Sequence, residues 1–387
     1  MITFTRSTTG TYFDSTGTLQ TAAVNTPRFT YDPSSGQSLG LLVEEARTNL
    51  FQRSEEFDNA FWAKQQSSVT ANAITSPAGT ITADKLVEDS SNNIHTAYAF
   101  LTGLVAAQTY SFSIYAKAAE RTSFALDFRA TGNGFRSVFD LAARTATGSA
   151  IGTGTLVSTS ITALPNGWYR CVVTGSHPTD TSINITARLN NPAGTDSYTG
   201  DGTSGIYLWG AQLEAGAFPT SYIPTTSGTA PRNADVASIT GTNFSGWYNQ
   251  SEGTVFAEAA KLFNGADFNR KWSLNDGSAA NVLAVYSNTN RYEVARNILN
   301  GGVSNIVGAT VGSLTASVKT CVGNNASGTQ YATNGQLSSL ASASAVPVVN
   351  QIRIGSEWYG AQLNGTIKRL TYWQTRLPNA VLQQITL

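Results

Sequence analysis

At 387 residues the chain is long for one ordinary core, and it predicts two domains with a smaller extra segment. Only 12% of residues are charged, against roughly 25% in an average soluble domain, and Ser, Thr, Asn, Gln and Gly fill the difference. Lys plus Arg and Asp plus Glu are 24 each, so the net charge is zero; no basic field exists to attract phosphate backbones or anionic lipid, which argues against nucleic acid and membrane partners.

Residues 1–47 are short polar-aromatic pieces, "ITFTRSTTGTYFD" and "PRFTYDPSSGQSLGLLVEEAR", interrupted by Pro27, Pro33 and several glycines. They predict an extended arm with short hairpins rather than a domain. Its apolar side chains, among them Phe4, Tyr12, Phe13, Phe29 and Tyr31, are too few and too scattered to form a core. They are expected to lean on the following domain, a neighbouring subunit or a base protein.

From 48 to 226 the signals have period two. "TYSFSIYAK" sets Tyr110, Phe112 and Ile114 against Ser111 and Ser113; "SFALDF" aligns Phe124, Leu126 and Phe128; "INITARL" sets Ile183, Ile185, Ala187 and Leu189 against Asn184, Thr186 and Arg188. In "GIYLWGAQLE", Tyr207, Trp209 and Leu213 are read on one side and Leu208, Gln212 and Glu214 on the other. Turns rich in Gly, Asn and Pro separate the strands at sandwich spacing, and "EEFDNAFWAK" offers a helical turn or two. Residues 227–240 read as a Ser/Thr/Gly/Pro linker, in which Arg232 and Asp235 either pair or are separately solvated. A second strand series fills 241–387, with Asp276-Gly277 and Asn334-Gly335 as two-residue hairpin signals and "LPNAVLQQITL" as a short closing helix. The fold class is all-β: two tandem antiparallel β-sandwich (jelly-roll) domains, 48–226 and 241–387, preceded by the extended N-terminal arm.

The strings "NGWYRCVVTG" (166–175), "SYTGDGTSGIYLWGAQLEAG" (197–216) and "FPTSYIPTTSGTAPRNADV" (218–236), with "GLLVEEARTNLFQRSEEFDNAFWAK" (40–64) upstream, resemble a module of tailed-phage tail-fibre and head-fibre proteins. That module is itself similar to jelly-roll carbohydrate-binding modules. The C-terminal order "QYATNGQL…IRIGSEWYGAQLNGTIKRLTYWQTRLPNAVLQQIT" is similar to concanavalin A-like sandwiches of the laminin-G and pentraxin type. The resemblance implies a virion protein made in a host cytoplasm without a signal peptide, with a cytoplasmic binding protein as the alternative. It further implies attachment to a base, portal, tail or capsid protein through the N-terminal arm, a homo-oligomer with the trimer as first choice, and host cell-surface polysaccharide as partner. Neither module carries a shared catalytic set.

The residues themselves offer little chemistry. "MITFTRSTTG" lacks an apolar signal core, and no run approaches the roughly 18 residues of a membrane helix. Cys171 and Cys321 fall on opposite sides of the linker and read as small buried apolar residues. His95 and His177 lack the flanking pattern of a metal pair or a nucleophile elbow. No cofactor is expected; a structural Ca²⁺ is common in both sandwich types, but no ligand set is assigned. Glycoside hydrolysis needs two facing carboxylates; Glu44-Glu45 and Glu55-Glu56 are neighbours that point apart on an extended chain, while convergence among Asp127, Asp140, Asp201, Glu258, Asp267 and Asp276 stays open. Sugar binding needs only aromatic faces and nearby amides, and Tyr115, Phe135, Trp358 and Tyr359 are the candidate exposed aromatics, with packing as the alternative for each. The expected function is a non-catalytic fibre adhesin. A purely structural virion spacer or decoration and a glycan depolymerase are the alternatives.

Overall fold

Alternating apolar and polar residues become strands because successive side chains leave a strand on opposite faces. A computed structural model describes residues 1–130, 132–263, 269–287, 292–310, 313, 315–338 and 346–387. Every strand pair in it is antiparallel, and the strands build two sandwiches, as the all-β reading expects.

The first sandwich has a front sheet in the order Thr145–Ile151, Asn133–Asp140, Ser123–Ala130, Ile183–Leu189, Thr96–Leu101, Ala63–Gln65. Its back sheet runs Thr155–Ala163, Trp168–Ser176, Thr109–Ala118, Gly205–Ala215, Ile81–Glu88, Ser67–Thr75. Phe112, Ile114, Phe124, Leu126, Phe128, Ile185 and Leu189 fill the space between the sheets, as the alternation predicts. In the 55–64 segment residues 55–62 form turns, not helix, and lead into the Ala63–Gln65 strand, burying Phe57 and Trp62 at one end of this core.

The second sandwich is where the expected arm is corrected. One of its sheets runs Thr3–Thr5, Val236–Thr240, Gln351–Ile354, Arg270–Asn275, Val282–Ser287, Tyr292–Leu299, Gly302–Thr310. The facing sheet runs Gln336–Leu337, Gly328–Thr333, Val318–Asn325, Gly253–Lys261, Gly365–Trp373, Ser38–Val43, Phe29–Tyr31. The N-terminal segment therefore supplies edge strands to both sheets, and the first sandwich is inserted between strands of the second. The hairpin Gly10–Phe13 with Leu19–Ala22 lies instead against the back sheet of the first sandwich, where Phe13 and Leu19 pack with Trp168 and Trp209. Phe4 packs with Ala237 and Ile354, and Tyr12 and Tyr31 are half-buried, so most of these side chains find their partner surface within the same chain. An extended segment with open ladders satisfies its backbone most directly by joining a sheet edge. Phe29 is the exception and stays largely exposed.

The 227–240 segment is not a solvated linker either. Ala230–Arg232 pairs with Arg47–Asn49, and Val236–Thr240 is a strand of the second sandwich. Arg232 and Asp235 are both buried in a cluster with Arg6, Arg28 and Glu44. Arg6 Nη1 lies 3.0 Å from Asp235 Oδ1, Arg28 Nη2 2.8 Å from Glu44 Oε2, and Arg232 Nη2 and Nη1 3.6 Å and 3.9 Å from Glu44 and Asp235; Arg28 also pairs with Asp235. The arginines also donate to backbone carbonyls: Arg6 to Thr8 and Ala23, Arg28 to Thr11, Arg232 to Glu45. Burial would raise the Glu44 pKa, but Arg232 and Arg28, with hydrogen bonds from Ser221, reverse this and hold it at about 2.

Of three local readings one holds and two change, with their causes visible. Asn334 and Gly335 both take positive φ and close the two-residue hairpin between Gly328–Thr333 and Gln336–Leu337. Asp276-Gly277 instead opens the longer 276–281 turn, because the Asp276 carboxylate accepts hydrogen bonds from the Ser278 amide and the Asn281 side chain. In Gly205–Ala215 a bulge at Gly210, with φ +62, reverses the alternation, so that Leu213 joins Leu208 in the core while Tyr207 and Trp209 face outward. A Cβ on Gly210 would stand 2.9 Å from the Tyr115 ring, so the glycine is required by space as well as by conformation. Asn379–Ile385 forms the expected closing helix, and both cysteines are free and buried.

Candidate functional site

The two outer faces of the first sandwich differ in what lies on them. The back sheet is covered: Tyr115, Trp168 and Trp209 meet Leu19 of the N-terminal hairpin and Tyr222 of the 218–225 segment. This corrects the expected exposure of Tyr115, which is only 1% exposed and packs edge-on to Trp209 at 5.4 Å between ring centres. Phe135 is corrected as well. The strand already begins at Asn133, within "TGNG", and its alternation directs Phe135 inward to stack on Phe128 at 4.8 Å, fully buried. Neither ring is available to a ligand.

The front sheet carries an open face. Register places Tyr98 opposite Thr186, Thr186 opposite Asp127, Asp127 opposite Arg136 and Arg136 opposite Ser149, all in one row pointing away from the core. A second row holds Phe100, Asn184, Arg129 and Gly134; a third holds Gln65, Thr96 and Arg188. With strands roughly 4.8 Å apart, the span from Tyr98 to Arg136 is roughly 14 Å. Phe100 is 58% exposed, Asn184 and Gln65 are exposed, and Tyr98 is half-exposed. A cleft of about 330 Å³ lies along these rows, bordered by Gln65, Tyr98, Asp127, Arg129, Asn184 and Arg188.

Three guanidiniums gather here around buried Asp127. Arg188 Nη2 is 2.7 Å from Asp127 Oδ2, Arg136 Nε 3.3 Å from Oδ1 and Arg129 Nη2 3.5 Å from Oδ2. Asp196, from the loop beyond the sheet, ties two of them from above, at 2.7 Å to Arg188 Nη1 and 3.2 Å to Arg136 Nη1. Partial burial works against the Asp196 charge, but Arg188 and Arg136 outweigh it and hold this carboxyl below its usual range. Arginine, tyrosine and amides on a rigid sheet present directional donors and a flat apolar surface, which suits a hydroxylated ring carrying an anionic group.

The C-terminal pair of expected aromatics is exposed, as read: Trp358 by 39% and Tyr359 by 56%. Glu357 and Gly360 close a tight turn by reciprocal backbone hydrogen bonds at 2.8 and 3.2 Å, which presents the two rings edge to face at 5.2 Å. Beneath them Arg270 Nε pairs with buried Glu357 at 2.7 Å, and Arg270 Nη2 donates to the Tyr359 hydroxyl at 3.3 Å. A further cavity of about 330 Å³ lies where the N-terminal segment meets both sandwiches, and Tyr12, Phe13, Tyr31 and Phe218 give it largely apolar walls.

The other chemical candidates have local occupations. His95 contacts the Gln66 and Tyr198 carbonyls, and His177 Nδ1 accepts the Asp180 amide. Asp140, Asp201 and Asp276 each close their own turn, Glu258 pairs with Lys368 at 3.7 Å, and Asp267 lies outside the described residues. Glu45 pairs with Arg47, Glu55 accepts from the Tyr222 hydroxyl and Glu56 pairs with Arg53. Among the described residues no three His, Cys, Asp or Glu side chains gather as a metal site.

Neither Tyr98 nor the arginine cluster is among the sequence candidates. The alternation did carry a signal, since "INITARL" places Arg188 and "SFALDFRA" places Asp127 and Arg129 opposite the core residues. Strand order, which makes these separate strands neighbours, is not written in any one of them.

No protein-family sequence profile matches the chain, and no curated protein matches it. Among solved structures it is similar to the CBM40 of a Ruminococcus gnavus IT-sialidase bound to α2,3-sialyllactose (14% identity, 36% of this chain and 83% of that one, TM-score 0.31). It is also similar to the SAP-like pentraxin of Limulus polyphemus (11%, 35% and 70%, TM-score 0.29) and to mouse laminin α1 domains LG4-5 (9%, 74% and 88%, TM-score 0.27). These are sandwich proteins of the kinds the sequence resembles. At such low TM-scores they decide nothing about ligand or activity, and the site rests on its own residues.

Proposed function

We infer that this chain is a non-catalytic carbohydrate-binding protein that presents the open front sheet of its first sandwich to a cell-surface glycan. The observation that supports this reading is the set of outward rows with Tyr98, Phe100, Asn184, Thr186 and three arginines on a sheet that, among the described residues, is left open over Phe100 and Asn184, while the opposite sheet is covered. A flat ring for the apolar side of a pyranose beside amides and guanidiniums for its hydroxyls is the chemistry a sugar needs. The finer reading, a fibre of a phage or phage-like particle, is supported by the strings at 40–64, 166–175 and 197–236. Among the described residues, Asp140, Asp201, Asp276 and Glu258 are engaged by local partners and Asp127 by arginines, which supports binding over hydrolysis.

Binding of the full chain to immobilised capsular polysaccharide, compared with a Tyr98→Ala variant, tests the reading. Retention by the parent chain, at least ten-fold weaker in the variant and with polymer length unchanged on a sizing column, is the expected result. Equal retention of the two forms would move the site off this face. Shortened polymer would replace adhesin by depolymerase, and no retention across a capsule panel would leave the structural-spacer alternative.

A further inference from the structure

We propose that the front sheet selects an acidic saccharide, seating its carboxylate or sulfate ester on Arg129 and Arg136 with a sugar ring of the same chain against Tyr98. This rests on the glycan-binding reading and specifies its ligand class.

The first argument is the balance of charge. Arg129, Arg136 and Arg188 share Asp127 and Asp196, so the cluster carries one positive charge more than its carboxylates, in a chain whose total charge is zero. The second is where the donors go. Among the described residues these three side chains donate to no backbone carbonyl, and the Nε–H groups of Arg129 and Arg188 have no acceptor. Arg129 is held by one contact only, at 3.5 Å, and is a third exposed. An anion entering the cleft can therefore accept from the exposed part of the Arg129 guanidinium without displacing a close ion pair.

The third argument is preorganisation. Asp127 lies beneath the guanidiniums and Asp196 ties two of them from above, so the planes of Arg136 and Arg188 are set before any ligand arrives. Gly134 sits beside Arg129 in its row with φ +144, and a Cβ there would strike the Phe128 carbonyl at 2.0 Å. No side chain can therefore grow over Arg129 from that strand. The spacing also fits: Tyr98 and Arg136 stand three strands apart, roughly 14 Å, which leaves room for an anionic group at one end of the row and a stacked ring at the other.

The probes are oligogalacturonate, the same oligomers with every carboxylate reduced to hydroxymethyl, the reduced oligomers carrying sulfate esters, and inorganic sulfate, each titrated into the full-length protein. Oligogalacturonate or the sulfated form should bind at least ten-fold more tightly than the reduced form, weakening as salt rises; which one does so separates the two sources of charge. Arg129→Ala should remove most of that difference, whereas Tyr98→Ala should weaken charged and neutral oligomers alike. Equal binding of charged and reduced oligomers would overturn the proposal and leave glycan binding intact. Equal affinity for inorganic sulfate would reduce the site to a bare anion cradle and overturn it too. Loss of oligomer binding in Tyr98→Ala together with an unchanged charge preference in Arg129→Ala would place a sugar site here but its charge recognition elsewhere, which also rejects it.

Discussion

The molecule contains two ionic clusters with the same ingredients. At the junction of the sandwiches Arg6, Arg28 and Arg232 surround Glu44 and Asp235; on the front sheet Arg129, Arg136 and Arg188 surround Asp127 and Asp196. The first is buried throughout, and its arginines also reach the carbonyls of Thr8, Thr11, Ala23 and Glu45, the last of which ties Arg232 to a residue 187 positions earlier. The second is partly open, and its arginines reach only the two carboxylates among the described residues. Identical side chains thus do different work. Where the guanidiniums are buried and reach the carbonyls of other segments, the cluster fastens the chain together; where they reach only carboxylates and border an open sheet, it is ready for a partner.

The comparison breaks most sharply at Asp235. Asp235→Ala would leave Arg6 and Arg28 buried without their nearest carboxylate, and removing one partner of a buried pair costs about 3–5 kcal/mol. Urea unfolding should show a loss of that size, with Asp235→Asn recovering part of it by keeping the shape and some hydrogen bonds. A loss below about 1 kcal/mol would mean that the junction cluster does not fasten the segments.

Acid should act on the same cluster. The Glu44 pKa falls from an ordinary 4.5 to about 2 in the folded chain, so the folded state binds this proton less readily than the unfolded one. Its contribution is therefore present above about pH 4.5 and is lost as pH drops toward 2. Stability measured against pH should fall across that window, and Glu44→Gln should flatten the fall. An unchanged slope in the variant would assign the acid sensitivity to other carboxylates.

These two clusters also show what the sequence made legible. The strands were readable because Phe124, Leu126 and Phe128, or Ile183, Ile185 and Leu189, alternate within a single segment, and the pleat converts that period directly into a buried face. The Gly210 bulge was not readable, since one extra residue reverses the phase without a change in composition. The N-terminal segment was misread as an arm because edge strands as short as Thr3–Thr5 and Phe29–Tyr31 have almost no period of their own; the partners of Thr3–Thr5, and of the Ser38–Val43 strand to which Phe29–Tyr31 is added, lie more than 200 residues away. For the same reason Arg136 and Arg188, 52 positions apart (188 minus 136), gave no motif, although strand order sets both beside Asp127. Trp358 and Tyr359 were found as exposed rings because a single tight turn displays them.

The smallest expected effect completes the contrast. Arg136 pairs with both front-sheet carboxylates, at 3.3 Å and 3.2 Å, but its side chain is 22% exposed and water can replace it there. Arg188 remains at 2.7 Å from each carboxylate when Arg136 is removed, so neither Asp127 nor Asp196 is left uncompensated. Arg136→Ala should therefore cost at most about 1 kcal/mol in urea unfolding, as partly exposed ion pairs do. The paired measurement is the informative one: the same substitution should reduce retention of an acidic oligosaccharide far more than it reduces stability. A stability loss approaching that of Asp235→Ala would show that the front cluster also fastens the fold, and the argument from unused donors would then fail where it is needed, at the guanidiniums assigned to the ligand.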